Sequence, residues 1–413
     1  MRIALYENLP SGGAKRATVE YARVLSSHGH IVDWWTTDAA DSTFLSATEV
    51  ANRRVCYPWP QRRTPARSIP FLHGYRLAAE DVGRLQRIEE TARHMAAEID
   101  QQGYDVVFAH TCQPVQGPYL LRFLRTPSVY YCQEPTRIFY DPPIYRPYHH
   151  PPLRRRDMLR TRWYAPAGLL ETRLRRQADI VNVRQATAIV ANSYFSAESI
   201  YRAYRRRALV SYLGINVDLF RPLDVPRDDY VLSVGALSPT KGYDFLVASL
   251  GCLPAVRRPR LMIACNVFYK PEHDYVQKLA ARWGVSVEVR SRVTDEELVD
   301  LYNRARAFVY APVLEPFGFA PLEAMACGVP VVAVAEGGVR ETVRDGETGL
   351  LAQRQPARFA AVLDRLLGDQ ELYTRLSVAG MAAVRSFWTW EHAYDRLMPF
   401  MEETRRCPVT RNN

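Results

Sequence analysis

Short apolar runs recur along the chain, each bounded by glycine, proline or a polar cluster, and between them the apolar positions shift to a helical spacing. Runs at 2–6, 31–35, 105–109, 128–131, 187–191 and 209–213 read as strands. So do those at 230–234, 261–265, 286–290, 307–311 and 331–334. Apart from 286–290, where apolar and polar residues alternate, they are apolar at nearly every position, which is the pattern of strands covered on both faces. Amphipathic stretches at 14–28, 75–101, 272–283 and 295–305 supply helices between them, and helices at 356–367, 369–385 and 390–404 close the chain. Strands alternating with helices imply parallel sheets with helical crossovers, an α/β protein. A chain of 413 residues exceeds one ordinary core. The stretch 214–229 has no clear period and contains Pro222 and Pro226, so it reads as an interdomain linker.

The rest of the chain is organised around Glu315-Pro316-Phe317-Gly318-Phe319-Ala320-Pro321-Leu322-Glu323, set between the strands at 307–311 and 331–334. Pro321 suits the first turn of a helix and Gly328 its C′ position. Glu315 then lies in a strand-to-helix loop and Glu323 in the first helical turn, with the N–H groups of Gly318 and Phe319 between them. This is the carboxyl edge of a parallel sheet, where such sheets bind ligands. Helix-start N–H groups attract phosphate oxygens, and a carboxylate accepts from the paired hydroxyls of a sugar or ribose. A nucleotide sugar offers both. Taken alone, the spacing serves equally for a helix-dipole acid at Glu323 and a solvated loop acid at Glu315.

Other polar positions fall at strand ends on the same edges. Gly12 and Gly13 follow the first strand, leave the next helix start open to a ligand, and are donor-binding candidates. They are not part of a Gly-x-Gly-x-x-Gly pattern, which argues against a dinucleotide-dependent dehydrogenase. His110 and Gln133 end two later strands and are acceptor-side candidates. In the second half, Lys241 sits at a strand-to-helix junction where a point charge can meet phosphate, and Asn266, Arg292 and Val293 lie at strand ends as donor-binding candidates.

Composition narrows the setting. Hydrophobic content is 47%, ordinary for a globular protein. No window approaches the roughly 18 uninterrupted apolar residues of a membrane span. Met1 leads directly into the first strand, so no signal peptide is expected. The seven cysteines form no C-x-x-C pair, and several lie in apolar runs, which fits a reducing cytoplasm. His149-His150 has no ligand set around it, and no metal is expected. Residues 1–222 hold 31 lysines and arginines against 20 acids, whereas residues 223–413 hold 23 against 24. The basicity belongs to the first half and implies an anionic partner there. Its densest part is 137–176, with ten arginines, three acids and six interleaved aromatics. Pro142, Pro143, Pro147, Pro151 and Pro152 forbid regular structure at its start, and a helix with Arg154, Arg160, Arg162, Arg173, Arg175 and Arg176 follows. Arginine with aromatics suits an anionic membrane surface, nucleic-acid stacking or plain solvation. The segment is expected to lie along the N-terminal domain.

With these residues in place, the chain resembles the family-4 retaining glycosyltransferases over nearly its full length. The landmarks are Gly12-Gly13, 212–216, Val234-Gly235 with Lys241-Gly242, Glu315 to Glu323, 328–332, Glu336-Gly337-Gly338 and 345–350. The resemblance implies the GT-B type of fold, two Rossmann-like parallel-sheet domains facing a central cleft. It places an acceptor-binding domain at 1–222, a nucleotide-sugar-binding domain at 223–386, and a closing helix at 387–413 that crosses back to the first. The implied activity is transfer of a sugar, with retention, from a nucleotide-sugar donor to a glycan or lipid-linked acceptor. By the same resemblance, Glu323 accepts from the ribose hydroxyls and Glu315 holds the donor sugar. Gly318 and Phe319 bind phosphate, Phe317 is a further donor-binding residue, and Lys241, catalytic together with Glu315, neutralises the leaving diphosphate. No metal or other cofactor is implied. Two positions depart from the family pattern, Ala236 where an arginine is usual and Gln133 where a histidine is usual. The first removes a phosphate clamp and the second a titratable group. A basic nucleic-acid-binding α/β protein leaves Glu315 and Glu323 unexplained, so no nucleic-acid partner is expected. A sugar-nucleotide epimerase needs further acid/base residues. A pyridoxal-phosphate phosphorylase needs a Schiff-base lysine, for which the second half offers only Lys241, Lys270 and Lys278. The expected setting is the cytoplasm, with peripheral attachment to an anionic membrane through 137–176.

Overall fold

The computed structural model describes residues 1–10, 12–40, 50–63, 73–112, 115–149 and 155–407, and their side chains except at 73, 74, 149 and 155–167. The chain forms two compact units. Unit 1 comprises Met1–Pro143, His150–Tyr212 and Tyr394–Asn413, and unit 2 comprises Ile144–His149 and Leu213–Ala393. The division falls after Tyr212, ahead of the boundary expected at 222. The closing helix Trp390–Arg406 joins unit 1 from Tyr394 onward. Within the arginine–aromatic segment, Ile144–His149 belongs to unit 2, whereas the sequence pattern puts the whole segment in the N-terminal domain.

In unit 1 the described strands are β1 (Arg2–Asn8), β2 (Ile31–Thr37), β3 (Arg53–Tyr57), β4 (Val106–Cys112), β5 (Ser128–Tyr131), β6 (Ala188–Ala191) and β7 (Leu209–Val210). They form one sheet in the order β3-β2-β1-β4-β5-β6-β7, parallel at every pairing. β4 is buried at all of its residues, as its apolar run demands. β3 is an edge strand, largely exposed and opened by Arg53-Arg54, and so carries no apolar run to announce it.

Unit 2 contains β8 (Tyr230–Val234), β9 (Arg260–Cys265), β10 (Val287–Ser291), β11 (Ala307–Tyr310), β12 (Val331–Val334) and β13 (Leu350–Ala352), in the order β10-β9-β8-β11-β12-β13. All of these pairings are parallel. Counted from β8 the order is 3-2-1-4-5-6, the doubly wound Rossmann-like arrangement. The strand order reverses between β8 and β11, and in unit 1 between β1 and β4. Ligands of such sheets bind in the crevice outside the carboxyl ends of those strands. Gly12-Gly13 fall at the first crevice, Lys241 and Glu315 at the second, whereas His110, expected at the end of its strand, lies inside β4.

Local chemistry fixes the helix ends. Ser193 caps the helix Tyr194–Tyr204 through a bond from the Ser196 N–H. Thr294 and Glu297 form a capping box at Asp295–Arg304. Each cap stabilises by about 1 kcal/mol. The arginine-rich helix runs from Arg155 to Arg184, and Arg154 lies outside the described residues. Its last turns bury Ala178, Asp179, Asn182 and Val183. Asp179 accepts from the Gly117 N–H at 2.7 Å, Tyr204 Oη at 2.9 Å and Tyr140 Oη at 3.3 Å. Burial raises its carboxyl above the ordinary range, with these hydrogen bonds opposing.

Candidate functional site

In unit 2, β8 runs into Gly235 at φ 153°, then into a short turn Pro239–Lys241 and the helix Tyr243–Gly251. The aliphatic stem of Lys241 crosses Gly235 so closely that a Cβ there would lie 3.2 Å from Lys241 Cδ. Lys241 Nζ reaches Glu315 Oε2 at 2.8 Å, with the two side chains 22% and 16% exposed. Two residues of the sequence pattern that lie 74 positions apart are thus one ion pair. It has access to solvent, where such a pair contributes at most about 1 kcal/mol and stays exchangeable.

The loop that carries Glu315 is held by backbone contact. Val313 N–H donates to Thr240 O at 2.8 Å and Gly338 N–H to Glu315 O at 2.8 Å. A Cβ at Gly242 (φ 67°) would lie 2.1 Å from Ala311 O, at Gly337 (φ 62°) 2.3 Å from Glu315 O, and at Gly338 2.1 Å from Pro316 O. Arg354 completes the support. It donates to Ala311 O at 3.0 Å and Pro312 O at 2.6 Å while forking onto Glu336 at 2.8 Å. The glycines and Glu336 of the sequence landmarks are therefore loop-packing residues.

The helix after this loop is Phe319–Ala326, opening two residues ahead of Pro321. Pro321 still lies in the first turn, where its missing N–H costs nothing. Gly318 at φ 95° precedes it, and no side chain caps the helix start. Glu323 consequently sits in the second turn rather than the first, 6% exposed, and accepts from Tyr302 Oη at 2.8 Å. Burial, then the charge of Glu323, push the Tyr302 hydroxyl well above its ordinary pKa, so it remains the donor. Tyr302 carries no sequence signal, since it reads as an apolar position of an amphipathic helix. Phe317 is 2% exposed and packs on Phe319 at 5.3 Å and Trp388 at 5.7 Å, so its ring belongs to the core. Asn266 and Arg292 are exposed at the ends of β9 and β10. Arg292 is at φ 59° with its N–H on Cys265 O, and Val293 beside it is half-buried.

In unit 1, Gly12 (φ 151°) precedes the helix Gly13–Ser27, again with no side-chain cap. Gly12 and Gly13, with Trp59, Arg84, Thr111 and Gln116, line a cleft of about 530 Å³. Gln133 reaches the same helix start through Ala14 O at 3.4 Å. Beneath it lies a pair that the apolar pattern conceals, Glu7 in β1 and Lys15 in the first turn, 0% and 3% exposed. Glu7 also accepts from Leu9 N–H at 2.8 Å, Thr36 Oγ1 at 3.0 Å and Trp34 Nε1 at 3.2 Å. His110 is wholly buried, with Phe108 at 4.6 Å, Tyr131 at 5.6 Å and Tyr21 at 6.4 Å from its ring. Neither ring nitrogen has a hydrogen-bond partner among the described residues. Burial first, and the charge of Lys15 second, pull its pKa down to about 3. It thus faces the core and stays neutral, unlike Gln133, which is half-buried and donates to Ala14 O.

Doubly wound units with open helix starts at their switch points define a Rossmann-like α/β protein. Comparison with known proteins narrows this. The family model described as Glycosyl transferases group 1 matches residues 218–382, so unit 2 carries a domain of that family. The chain is 34% identical over 231 residues to a D-inositol 3-phosphate glycosyltransferase of Streptomyces scabiei, covering 50% of this chain and 51% of that protein. It is 38% identical over 210 residues to the corresponding protein of Frankia alni, covering 46% and 51%. The match spans about half the length of these relatives. Among solved structures, a sucrose-phosphate synthase from Thermosynechococcus elongatus superposes with a TM-score of 0.68 at 19% identity, over 97% of this chain and 98% of that one. Anabaena Alr3699/HepE, solved with UDP-glucose, superposes at 0.65 and 18% identity, over 98% and 100%. The fold, two parallel-sheet α/β domains, is therefore that of GT-B glycosyltransferases.

The burial of His110 generates a pH prediction. Its pKa is about 3 folded against 6.5 for the ordinary group, so between these values the unfolded chain binds a proton that the folded chain does not. Stability from this group is full above pH 6.5 and falls as the pH drops toward 3. Between pH 7 and pH 5 the loss is about 2 kcal/mol. Urea unfolding of His110→Phe should lack that part of the slope. An identical slope in both proteins would mean that His110 titrates in contact with water.

Proposed function

We propose that this protein transfers a glycosyl group from a nucleotide-sugar donor to a hydroxyl-rich, anionic acceptor, with retention of the anomeric configuration. The observation that carries the reading is the Lys241–Glu315 pair, set beside the uncapped helix start at Gly318 in the unit 2 crevice. The group 1 domain at 218–382 supports it, as do the glycosyltransferase names of the relatives and the UDP-glucose bound by Alr3699/HepE.

In this proposal the diphosphate lies over the N–H groups of Gly318 and Phe319 and shares Lys241 with Glu315. Binding converts a protein ion pair into a three-way contact in which the growing negative charge of the leaving group is neutralised. Glu323, turned by Tyr302, accepts from the ribose hydroxyls, and Glu315 accepts from hydroxyls of the donor sugar. Asn266, Arg292 and Val293 line the remaining donor side. The bond from the anomeric carbon to the diphosphate breaks while the acceptor oxygen bonds to the same face, and the acceptor's proton passes to the leaving phosphate oxygen. That route suits this chain, because Gln133 takes up no proton and His110 is sealed in the core. Lys241 and the helix start supply the positive charge, so no metal enters the proposed step.

The unit 1 cleft, with its open helix start and Arg84, suits an acceptor of the polyol-phosphate or anionic glycan class. The inositol phosphate in the relatives' names supports the first of these. Among the described residues no helix is long and apolar enough to cross a membrane. The helix Arg155–Arg184 exposes Leu169 (59%) and Leu170 (56%) beside the exposed cations Arg173 and Arg176. This supports peripheral docking on an anionic leaflet at the cytoplasmic face, where each cation contributes about 1 kcal/mol.

Three measurements test the proposal. Glu323→Ala should weaken UDP binding by roughly 1.5–3 kcal/mol in calorimetry, the range for a hydrogen bond to a charged group; unchanged affinity would remove Glu323 from the donor site. Glu315→Gln should spare UDP binding and lower kcat, because the sugar changes charge and shape only in the transition state. Full turnover by that variant would exclude Glu315 as the sugar contact. In liposome flotation, binding should rise with anionic lipid, fall with salt and weaken when Leu169, Leu170 and Arg173 become Ser. Equal flotation on neutral vesicles, or none on either kind, would favour a soluble acceptor and no membrane.

A further inference from the structure

Ile144–His149 is the part of the arginine–aromatic segment that the proposed reaction does not use, and Arg146 is the side chain that seats it in unit 2. The guanidinium is 8% exposed. It forks onto Asp244 at 2.8 and 2.9 Å and reaches both oxygens of Glu272 at 3.3 Å. A further bond goes to Pro239 O at 3.1 Å. Tyr148 Oη also donates to Glu272. Asp244 lies in the first turn of the helix Tyr243–Gly251, Glu272 in the first turn of Lys270–Trp283, and Pro239 opens the turn that ends at Lys241. One side chain therefore ties two helix starts to the turn that carries Lys241.

The turn needs that tie. On one side it is held by the Val313 N–H on Thr240 O. On the other it borders a cavity of about 400 Å³ lined by Arg146, Pro239, Gly242 and Asp244 among others, so close packing does not support it there. We propose that Arg146 is a positioning residue for the donor site: it braces the Pro239–Lys241 turn from the cavity side and keeps Lys241 in register with Glu315. The inference rests on the reading of Lys241 as the diphosphate contact. Lysine is a poor substitute at position 146, because a single ammonium cannot fork onto Asp244 and still reach Glu272 and Pro239 O.

A plain structural role predicts something different, and the charges allow the two to be separated. Arg146→Met strands Glu272, which is 0% exposed and accepts from Arg146 and Tyr148, so that variant loses stability whatever its effect on the turn. Asp244, with 27% of its side chain exposed, rehydrates. Arg146→Met combined with Glu272→Gln removes the stranded charge and should restore the thermal midpoint without restoring the bond to Pro239 O. The full-length protein is titrated with UDP in each form. The expected result for the thermally restored double variant is UDP bound about three- to tenfold more weakly, the effect of losing one hydrogen bond, with a raised donor KM and with Arg146→Lys intermediate. Wild-type affinity in that double variant overturns the inference and leaves the glycosyl-transfer reading standing. Failure of the wild-type protein to bind UDP overturns the donor-site reading, and the inference with it.

Discussion

The arrangement in unit 2 depends on backbone touching backbone around the loop between β11 and its following helix. Gly242, Gly337 and Gly338 approach Ala311, Glu315 and Pro316 so closely that no side chain fits between them. Hydrogen bonds from Val313 N–H and Gly338 N–H, and the fork of Arg354, hold the loop from three directions. A loop held this way presents Glu315 and the open helix start at Gly318 at fixed positions, and a charged side chain on a fixed loop is worth more to a ligand than one on a loop that must first be ordered. Substituting any of these glycines would act on the site through the loop, without touching a ligand.

Each unit holds a lysine–glutamate pair near its switch point, and burial separates their roles. Lys15–Glu7 is wholly enclosed, and Glu7 is further bonded by Leu9, Thr36 and Trp34. Such a pair is costly to break, because removing one partner leaves an uncompensated charge. It acts as a fixture beneath the Gly12–Gly13 loop. Lys241–Glu315 keeps about a fifth of each side chain in solvent and is free to exchange partners. Arg146 stands between these cases. It is buried against one fully buried carboxylate and one half-buried one, which suits a brace better than a contact that opens and closes.

The alternating pattern of apolar runs and amphipathic stretches determined the α/β class, the parallel sheets and nearly every strand, because burial on both faces writes a strand as an unbroken apolar run. It missed β3 and β13, an exposed edge strand and one of three residues, where that burial is absent or too short to register. Gly12, Gly13, Lys241, Glu315 and Gly318 were also legible, since turns that need glycine and charges at strand ends are local features of an α/β sheet. Tertiary structure alone decided the partners. It paired Lys241 with Glu315, placed Tyr302 on Glu323, turned His110 and Phe317 into the core, and hid Glu7 with Lys15. It also carried Ile144–His149 into unit 2 on the strength of two carboxylates more than ninety residues away. Periodicity reports how each residue meets its own helix or strand, whereas which charge lies opposite which is settled only when distant strands are laid side by side.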